Sequence, residues 1–312
     1  MKVIATNRVA RVRLATVRTP QGSRLHVKGR SGYVDVATHV ADPRLADLNG
    51  LLTAGEAAMD SVRALESLDG REVHESDLEA AVPQPPRIFC LGVNYSEHAI
   101  ETGRQVPDWP ESFMRTSASV LAPYADLVRP AFTKGFDFEG ELGIVIGRGG
   151  RYIPADQALA SVAGYTVLND ATARDWQRAG SQWLPGKNFD GSMPIGPEVV
   201  TPDELDVTDI ELTTTLNGTV MQHARTSQML VTAMQSIEFF SSFTTLRPGD
   251  VIATGTPGGV GFARTPPVWL EPGDTIEVTI QGLGTIRSRV IAEENTPTAW
   301  RWLPSSTATG AL

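Results

Sequence analysis

Three carboxylates in this chain are spaced as a hard metal ion could use them. Residues 136–147 read Phe-Asp-Phe-Glu-Gly-Glu-Leu-Gly-Ile-Val-Ile-Gly, and a second apolar run over 163–168 ends in Asn169 and Asp170. Side chains alternate along a strand, so Glu139 and Glu141 would share one face. A strand over 163–168 would carry Asp170 to the end of a sheet, where a loop could bend it toward the glutamates. Carboxylates 4 Å apart repel by about 4 kcal/mol per pair at an effective dielectric near 20. A cation, a shared proton or solvation must offset that. An all-oxygen site of few carboxylates suits Mg²⁺ or Mn²⁺, with waters left to exchange for substrate oxygens. Spacing alone equally allows the wet face of an edge strand and a helix N-cap at Asp170. Gly140, a residue that packs poorly, and the doubly apolar run after it favour the metal reading.

Other groups could act beside these acids. Ser96-Glu97-His98-Ala99-Ile100-Glu101 sets His98 and Glu101 three apart, neighbours on one helical turn, so the carboxylate could orient the imidazole. By itself that spacing reads as an ordinary surface pair. A helix continuing from Asp170 would place Arg174 and Gln177 on the same face as Asp170. Lys187, in Gly186-Lys187-Asn188, reads alone as a solvated loop lysine. Residues 254–259, Thr-Gly-Thr-Pro-Gly-Gly, would let backbone N–H groups approach an anion but lack the lysine and spacing of a phosphate loop. Arg115 could grip a carboxylate with two prongs or face solvent.

Taken together and in order, these stretches resemble the fumarylacetoacetate hydrolase family. The motifs are 88–98 (Ile-Phe-Cys-Leu-Gly-Val-Asn-Tyr-Ser-Glu-His), Glu139-Gly140-Glu141-Leu142, Gly164-Tyr165 with 169–175, 186–190, Leu216-Asn217-Gly218 and 248–257, spanning roughly residues 85–292. The resemblance implies an α+β, β-rich fold in which a mixed rolled β-sheet catalytic domain follows a small N-terminal α/β domain, and it implies a homodimer. It makes Glu139, Glu141 and Asp170 ligands of Mg²⁺ or Mn²⁺. It makes His98 and Glu101 a water-activating dyad on a lid that orders over substrate, and Lys187 a catalytic lysine. Arg174, Gln177 and Thr256 would reach the substrate. Arg115 stands near where many members carry Lys-Pro, and it is expected to take over that basic role toward the substrate.

The reaction so implied is hydrolysis of the C–C bond of a 2,4-dioxo acid, acylpyruvate-like or a diketo-deoxy sugar acid. Its products would be a carboxylic acid and a pyruvate-type 2-oxo acid, as in aromatic or sugar acid catabolism. The same metal-enolate site would serve an oxaloacetate decarboxylase or a hydroxymuconate-type isomerase, and the presence of both His98 and Glu101 favours hydrolysis. A non-catalytic metal-binding protein of the same fold is the alternative of another class.

The elements that must position these groups are mostly strands. Alternation predicts a small antiparallel unit over residues 1–40, then a helical region whose apolar residues, Leu45 to Leu68, recur at spacings of three and four. The proline-rich stretch 80–86 predicts a linker, dividing the chain into 1–84 and 85–312 with a tail from about 295. Further strands are expected over 210–220, 251–254, 275–280 and 285–291, and an amphipathic helix over 227–243. A net charge of −9 with no basic run to offset it argues against a nucleic-acid surface. One cysteine, Cys90, allows no intrachain disulfide, and there is neither a signal-peptide pattern nor an apolar run of membrane length. A cytoplasmic, soluble enzyme acting on a small molecule is expected. His26, His39, His74 and Asp175 are read as outside the chemistry. Trp300 and Trp302 in the tail are read as docking on a neighbour or a second subunit.

Overall fold

The computed structural model describes residues 12–294, so the expectation for Trp300 and Trp302 lies outside the described residues. Two strands organise the rest. Gly140–Ile146 and Val162–Asn169 are buried along their whole length, and alternation divides their side chains between two cores. Val145, Ala163 and Leu168 join the N-terminal helices on one face, while Leu142, Ile144, Ile146 and Val167 meet a second sheet on the other. Runs that are apolar on both faces are what a strand covered on both sides requires.

Ten strands form the larger sheet. Nine follow the order Gly32–Asp35, Gly22–Gly29, Arg13–Thr19, Met193–Val200, Val162–Asn169, Gly140–Ile146, Val251–Ala253, Ile88–Gly92 and Glu111–Arg115, with Val120–Leu121 pairing off that path against Met193–Val200. Five strands, Thr219–Arg225, Glu211–Leu216, Thr275–Ile280, Gly284–Ala292 and Leu127–Arg129, form the facing sheet. Its Leu212, Val278, Ile280 and Ile286 fill the space between the two. On the opposite side, Leu48, Leu51 and Leu52 of the helix Leu48–Ala54 pack onto the larger sheet. Each such buried leucine contributes about 1.5–3 kcal/mol.

The N-terminal strands lengthen the catalytic sheet, because Arg13 and Leu14 pair with Val200 and Val199. The proposed 1–84 and 85–312 units therefore share one sheet. The proline-rich stretch between them is packed rather than free: Ala80, Ala81 and Val82 are buried, and Ala81 N–H donates to Ile195 O. Two helices are shorter than expected. The one predicted over 227–243 runs from Ala233 to Phe243, because Thr232 and Gln235 close a capping box at its start. The one predicted from Asp170 is a single turn, Arg174–Gln177, because Thr172–Ala173 is an extended ladder with Phe136–Asp137. Asp170 thus does not share a helical face with Arg174. Among the described residues no helix is long and apolar enough to cross a membrane.

Candidate active site

Strand register brings the three acids together. Gly140 pairs with Asn169 and Glu141 with Leu168, and the ladder extends one step, with Asp170 N–H donating to Glu139 O at 2.8 Å. Glu139 and Asp170 therefore stand opposite each other, and Glu141, two residues along, shares their side. One ligand oxygen from each lies within 4.8 Å of the others, and all three residues are buried. Gly140 turns to the other face, where a β-carbon would come 2.3 Å from Thr214 Oγ1 and 2.9 Å from Val278 Cγ1 of the facing sheet. The glycine is thus a site of close sheet-to-sheet approach, and the expectation that it packs poorly is corrected.

Cations neutralise part of this charge. Lys187, buried at the end of the short helix Leu184–Lys187, sets Nζ 2.6 Å from Glu139 Oε2 and 2.6 Å from Asp170 Oδ2. Arg174 places Nη1 2.6 Å from Glu139 Oε1 and Nε 2.8 Å from Asp137 Oδ2. Asp137 is itself fixed by the N–H groups of Gly261 and Phe262. Burial alone would raise the Glu139 carboxyl, but Arg174 and Lys187 outweigh it and bring its pKa down to about 2. Glu141 goes the other way. Burial, then Asp170 and Glu139, push it well above the carboxylate range, and its hydrogen-bond donor is the neutral Gly255 N–H at 2.7 Å. That approach needs glycine at 255: its φ is +88°, and a β-carbon would lie 2.8 Å from Asn94 Cβ.

The donor set fits a divalent ion. All three ligands are hard carboxylate oxygens, and Glu141, which makes no ion pair among the described residues and is pushed toward its neutral form, is the carboxylate whose ionisation a divalent ion would favour.

A cavity of about 230 Å³ opens beside the acids, lined by Glu139, Glu141, Lys187, His98, Gln177 and Thr256 among others. His98 stands on the helix Ser96–Glu101 with Nδ1 2.8 Å from Glu101 Oε1, and Glu101 Oε2 accepts the Gly259 N–H at 2.7 Å. An ionised Glu101 only accepts, so Nδ1 carries the proton and Nε2 is the basic nitrogen. Asn94 anchors the entry to this helix. Its amide binds Thr254 O at 2.7 Å and both the N–H and the C=O of Val231. Arg174 Nη1 donates to Gln177 Oε1 at 3.2 Å, which leaves the Gln177 amide N–H groups for a ligand, and Arg174 Nη2 is buried without a partner among the described residues.

Most of the residues expected in the site are brought together, with two corrections. Arg115 does not line the cavity. Its guanidinium is fully buried behind Asp170, which it binds through Nη1, and its other donors go to Ser119, Ser192 and Ala171 O. With every direction spent inside the protein, it positions a ligand rather than touching substrate. Thr256 lines the cavity, but its hydroxyl donates to Gly140 O at 3.0 Å and accepts from Gln222 Nε2 at 2.8 Å. That proton is committed to the scaffold. Asp175 is structural as expected, accepting from Thr133 Oγ1 and Lys134 N–H. Sequence reasoning missed Asp137, Gln222, Phe262 and Arg178. Asp137 lies in the same acidic run and Arg178 directly follows Gln177, so both could have been weighed; Gln222 and Phe262 enter from distant segments that carry no local signal.

Fold and site define a strand-rich α/β enzyme with an acidic centre able to hold a divalent ion. The chain belongs to the fumarylacetoacetate hydrolase family, whose description "Fumarylacetoacetate (FAA) hydrolase C-terminal" matches residues 87–291. It is 38% identical over 288 residues to "Oxaloacetate tautomerase FAHD2A, mitochondrial" of Homo sapiens, covering 90% of this chain and 92% of that one. The Bos taurus protein of the same name is 40% identical over 245 residues, covering 77% and 78%. Among solved structures it is similar to fumarylacetoacetate hydrolase from the psychrophilic Exiguobacterium antarcticum, with a TM-score of 0.77, 32% identity and coverage of 90% and 100%. It is also similar to 5-carboxymethyl-2-hydroxymuconate delta-isomerase from Mycobacterium smegmatis, with a TM-score of 0.71, 32% identity and the same coverage. The expected family and β-rich fold are borne out, whereas these relatives carry names of tautomerase and isomerase as well as hydrolase.

Proposed function

We propose that this protein is a divalent-metal-dependent enzyme of 2-oxo acids that interconverts the keto and enol forms of oxaloacetate. The observation that carries this reading is that the basic His98 lines the same cavity of about 230 Å³ as Glu139 and Glu141, two members of the three-carboxylate centre. That volume is below the roughly 300–1,000 Å³ of pockets for drug-sized ligands and suits a four-carbon acid. The names of relatives that match 90% of the chain support the same substrate.

An ion held by Glu139, Glu141 and Asp170 would supply Lewis-acid polarisation of the 2-oxo group. His98 Nε2 takes a proton from C3 as the C3–H bond breaks, and Glu101 holds the imidazolium that results. Negative charge grows on the 2-oxo oxygen, where Lys187 and the amide of Gln177 offset it. A proton delivered to that oxygen completes the enol, with no co-reactant consumed.

The His98–Glu101 pair favours one second reading, C–C hydrolysis of a 2,4-dioxo acid, in which His98 would take its proton from water instead of from C3. Oxaloacetate decarboxylation uses the same acidic centre. One experiment separates them. Decay of the enol absorbance of oxaloacetate is followed with Mg²⁺, with Mn²⁺ and with chelator, alongside pyruvate release from oxaloacetate and from a panel of acylpyruvates. Metal-dependent enol decay without pyruvate release is the result expected of a tautomerase. Pyruvate from acylpyruvates would replace this reading with the hydrolase, and pyruvate from oxaloacetate with the decarboxylase. Metal binding without turnover on any substrate would make it a binding protein.

A further inference from the structure

The cavity is bipolar, and its cationic side carries guanidinium donors that no acid takes up among the described residues. Arg174 leaves Nη2 buried and unpartnered, although its Nε and Nη1 are committed to Asp137 and Glu139. Arg178, one helical turn further on, also lines the cavity. Both guanidinium carbons lie 4.4 Å from the centroid of the same ring, Phe262. Two like charges are thus braced against one aromatic ring, an arrangement whose attraction to the ring offsets only part of their repulsion. Among the described residues Arg178 makes no ion pair. Burial, then Arg174, lowers its pKa, and Arg104 adds to the effect. Asp137, the acid that counters them, already serves Arg174. A cation so placed gains from an anion that enters the cavity and shares the open Nη2 of Arg174.

We propose that Arg178 is a specificity-determining residue that receives the second carboxylate of a 2-oxo dicarboxylate whose 2-oxo acid end lies at Glu139, Glu141 and Asp170. The inference rests on the reading of this site as a 2-oxo acid site and adds the residue that selects for the second carboxylate. A planar guanidinium is the group suited to this, because it meets both oxygens of a carboxylate at once. A methyl group in place of that carboxylate leaves Arg178 and Arg174 Nη2 facing it without an acceptor.

The test uses unreactive analogues, so it reads binding apart from turnover. Malate and 2-hydroxybutanoate differ only in a carboxylate replaced by methyl, and their affinities are measured by titration calorimetry on the Mg²⁺-loaded protein. The wild type is expected to prefer malate. Arg178→Gln is expected to weaken malate about tenfold or more, the scale of a charge-assisted hydrogen bond, and to leave 2-hydroxybutanoate unaltered. Arg178→Lys is expected to recover part of the difference. Arg178 is solvent-exposed at the cavity mouth, and thermal melts of the variants control for folding. A wild-type preference for malate that survives Arg178→Gln overturns the role of Arg178 and leaves the 2-oxo acid reading standing. Equal loss of both ligands overturns it as well, since that pattern marks a general disturbance of the cavity. A wild type that binds neither analogue overturns the 2-oxo acid reading itself and this inference with it.

Discussion

Arg87 and Asp250 form a two-pronged ion pair, with Nη2 2.5 Å from Oδ2 and Nε 3.1 Å from Oδ1, and the aspartate side is wholly buried. The pair stands at the start of two parallel neighbours, Ile88–Gly92 and Val251–Ala253, whose far ends carry Asn94 and Gly255 into the site. Arg87→Ala leaves Asp250 a buried charge supported, among the described residues, by the Arg247 N–H alone. A loss of about 3–5 kcal/mol in unfolding free energy is expected, measured by urea denaturation. Asp250→Asn should cost less than Asp250→Ala because it keeps an acceptor for that N–H.

The dyad predicts a split between catalysis and stability. Glu101→Gln keeps the shape but no longer holds the imidazolium, so kcat is expected to fall by about 10–100-fold. His98→Ala is expected to lose about 10²–10⁴-fold, the usual range for a positioned base. Glu101→Gln should not lower the melting temperature much, since the Glu101 side chain is partly exposed, whereas the His98 side chain is buried and His98→Ala should lower it more. Stopped-flow decay of the oxaloacetate enol and a thermal melt measure the two effects separately.

Metal removal should affect Glu141 most. In the metal-free protein burial, Asp170 and Glu139 disfavour its ionised form, so at neutral pH folding must hold a proton that the unfolded chain would release, and Glu141→Gln, which removes that cost, should raise the melting temperature of the chelated protein. The same change should abolish the stabilisation by Mg²⁺, which for the wild type at a hundredfold excess over Kd is about 2.7 kcal/mol. Melts with and without Mg²⁺ give both numbers. A Glu141→Gln protein still stabilised by Mg²⁺ to the wild-type extent would remove this residue from the ligand set.

Cys90 gives a prediction about pH. Burial, then Asp170 and Glu141, raise its thiol well above the ordinary 9.0. The folded thiol therefore stays neutral where the unfolded one ionises, so its contribution leaves stability unchanged below pH 9 and reduces it above, by up to about 1.4 kcal/mol per pH unit. Comparing urea midpoints of wild type and Cys90→Ala between pH 8 and 10.5 isolates that slope. In the native protein at pH 8 a thiol reagent should label Cys90 only as fast as the structure opens.

The sequence by itself determined the strand pattern, the family and the residues at the centre of the site. Glu139 and Glu141 share a face because strand geometry has period two, and His98 and Glu101 meet because a helical turn brings residues three apart together. Both are short-range consequences of backbone geometry. Only the tertiary structure decided the relations between distant segments. The pairing of Gly140 with Asn169 seats Asp170 opposite Glu139, and the Phe136–Asp137 ladder shortens the helix that was expected from Asp170. Arg115 illustrates the limit most clearly. The local pattern allows a solvent-facing or a substrate-binding arginine, and its true partners, Asp170 and Ser192, lie 55 and 77 residues away. Arg178 likewise reaches the cavity because Phe262, from a loop fixed by Asp137, provides the ring on which it rests. Such contacts depend on how sheets stack and loops fold back, which no local spacing encodes.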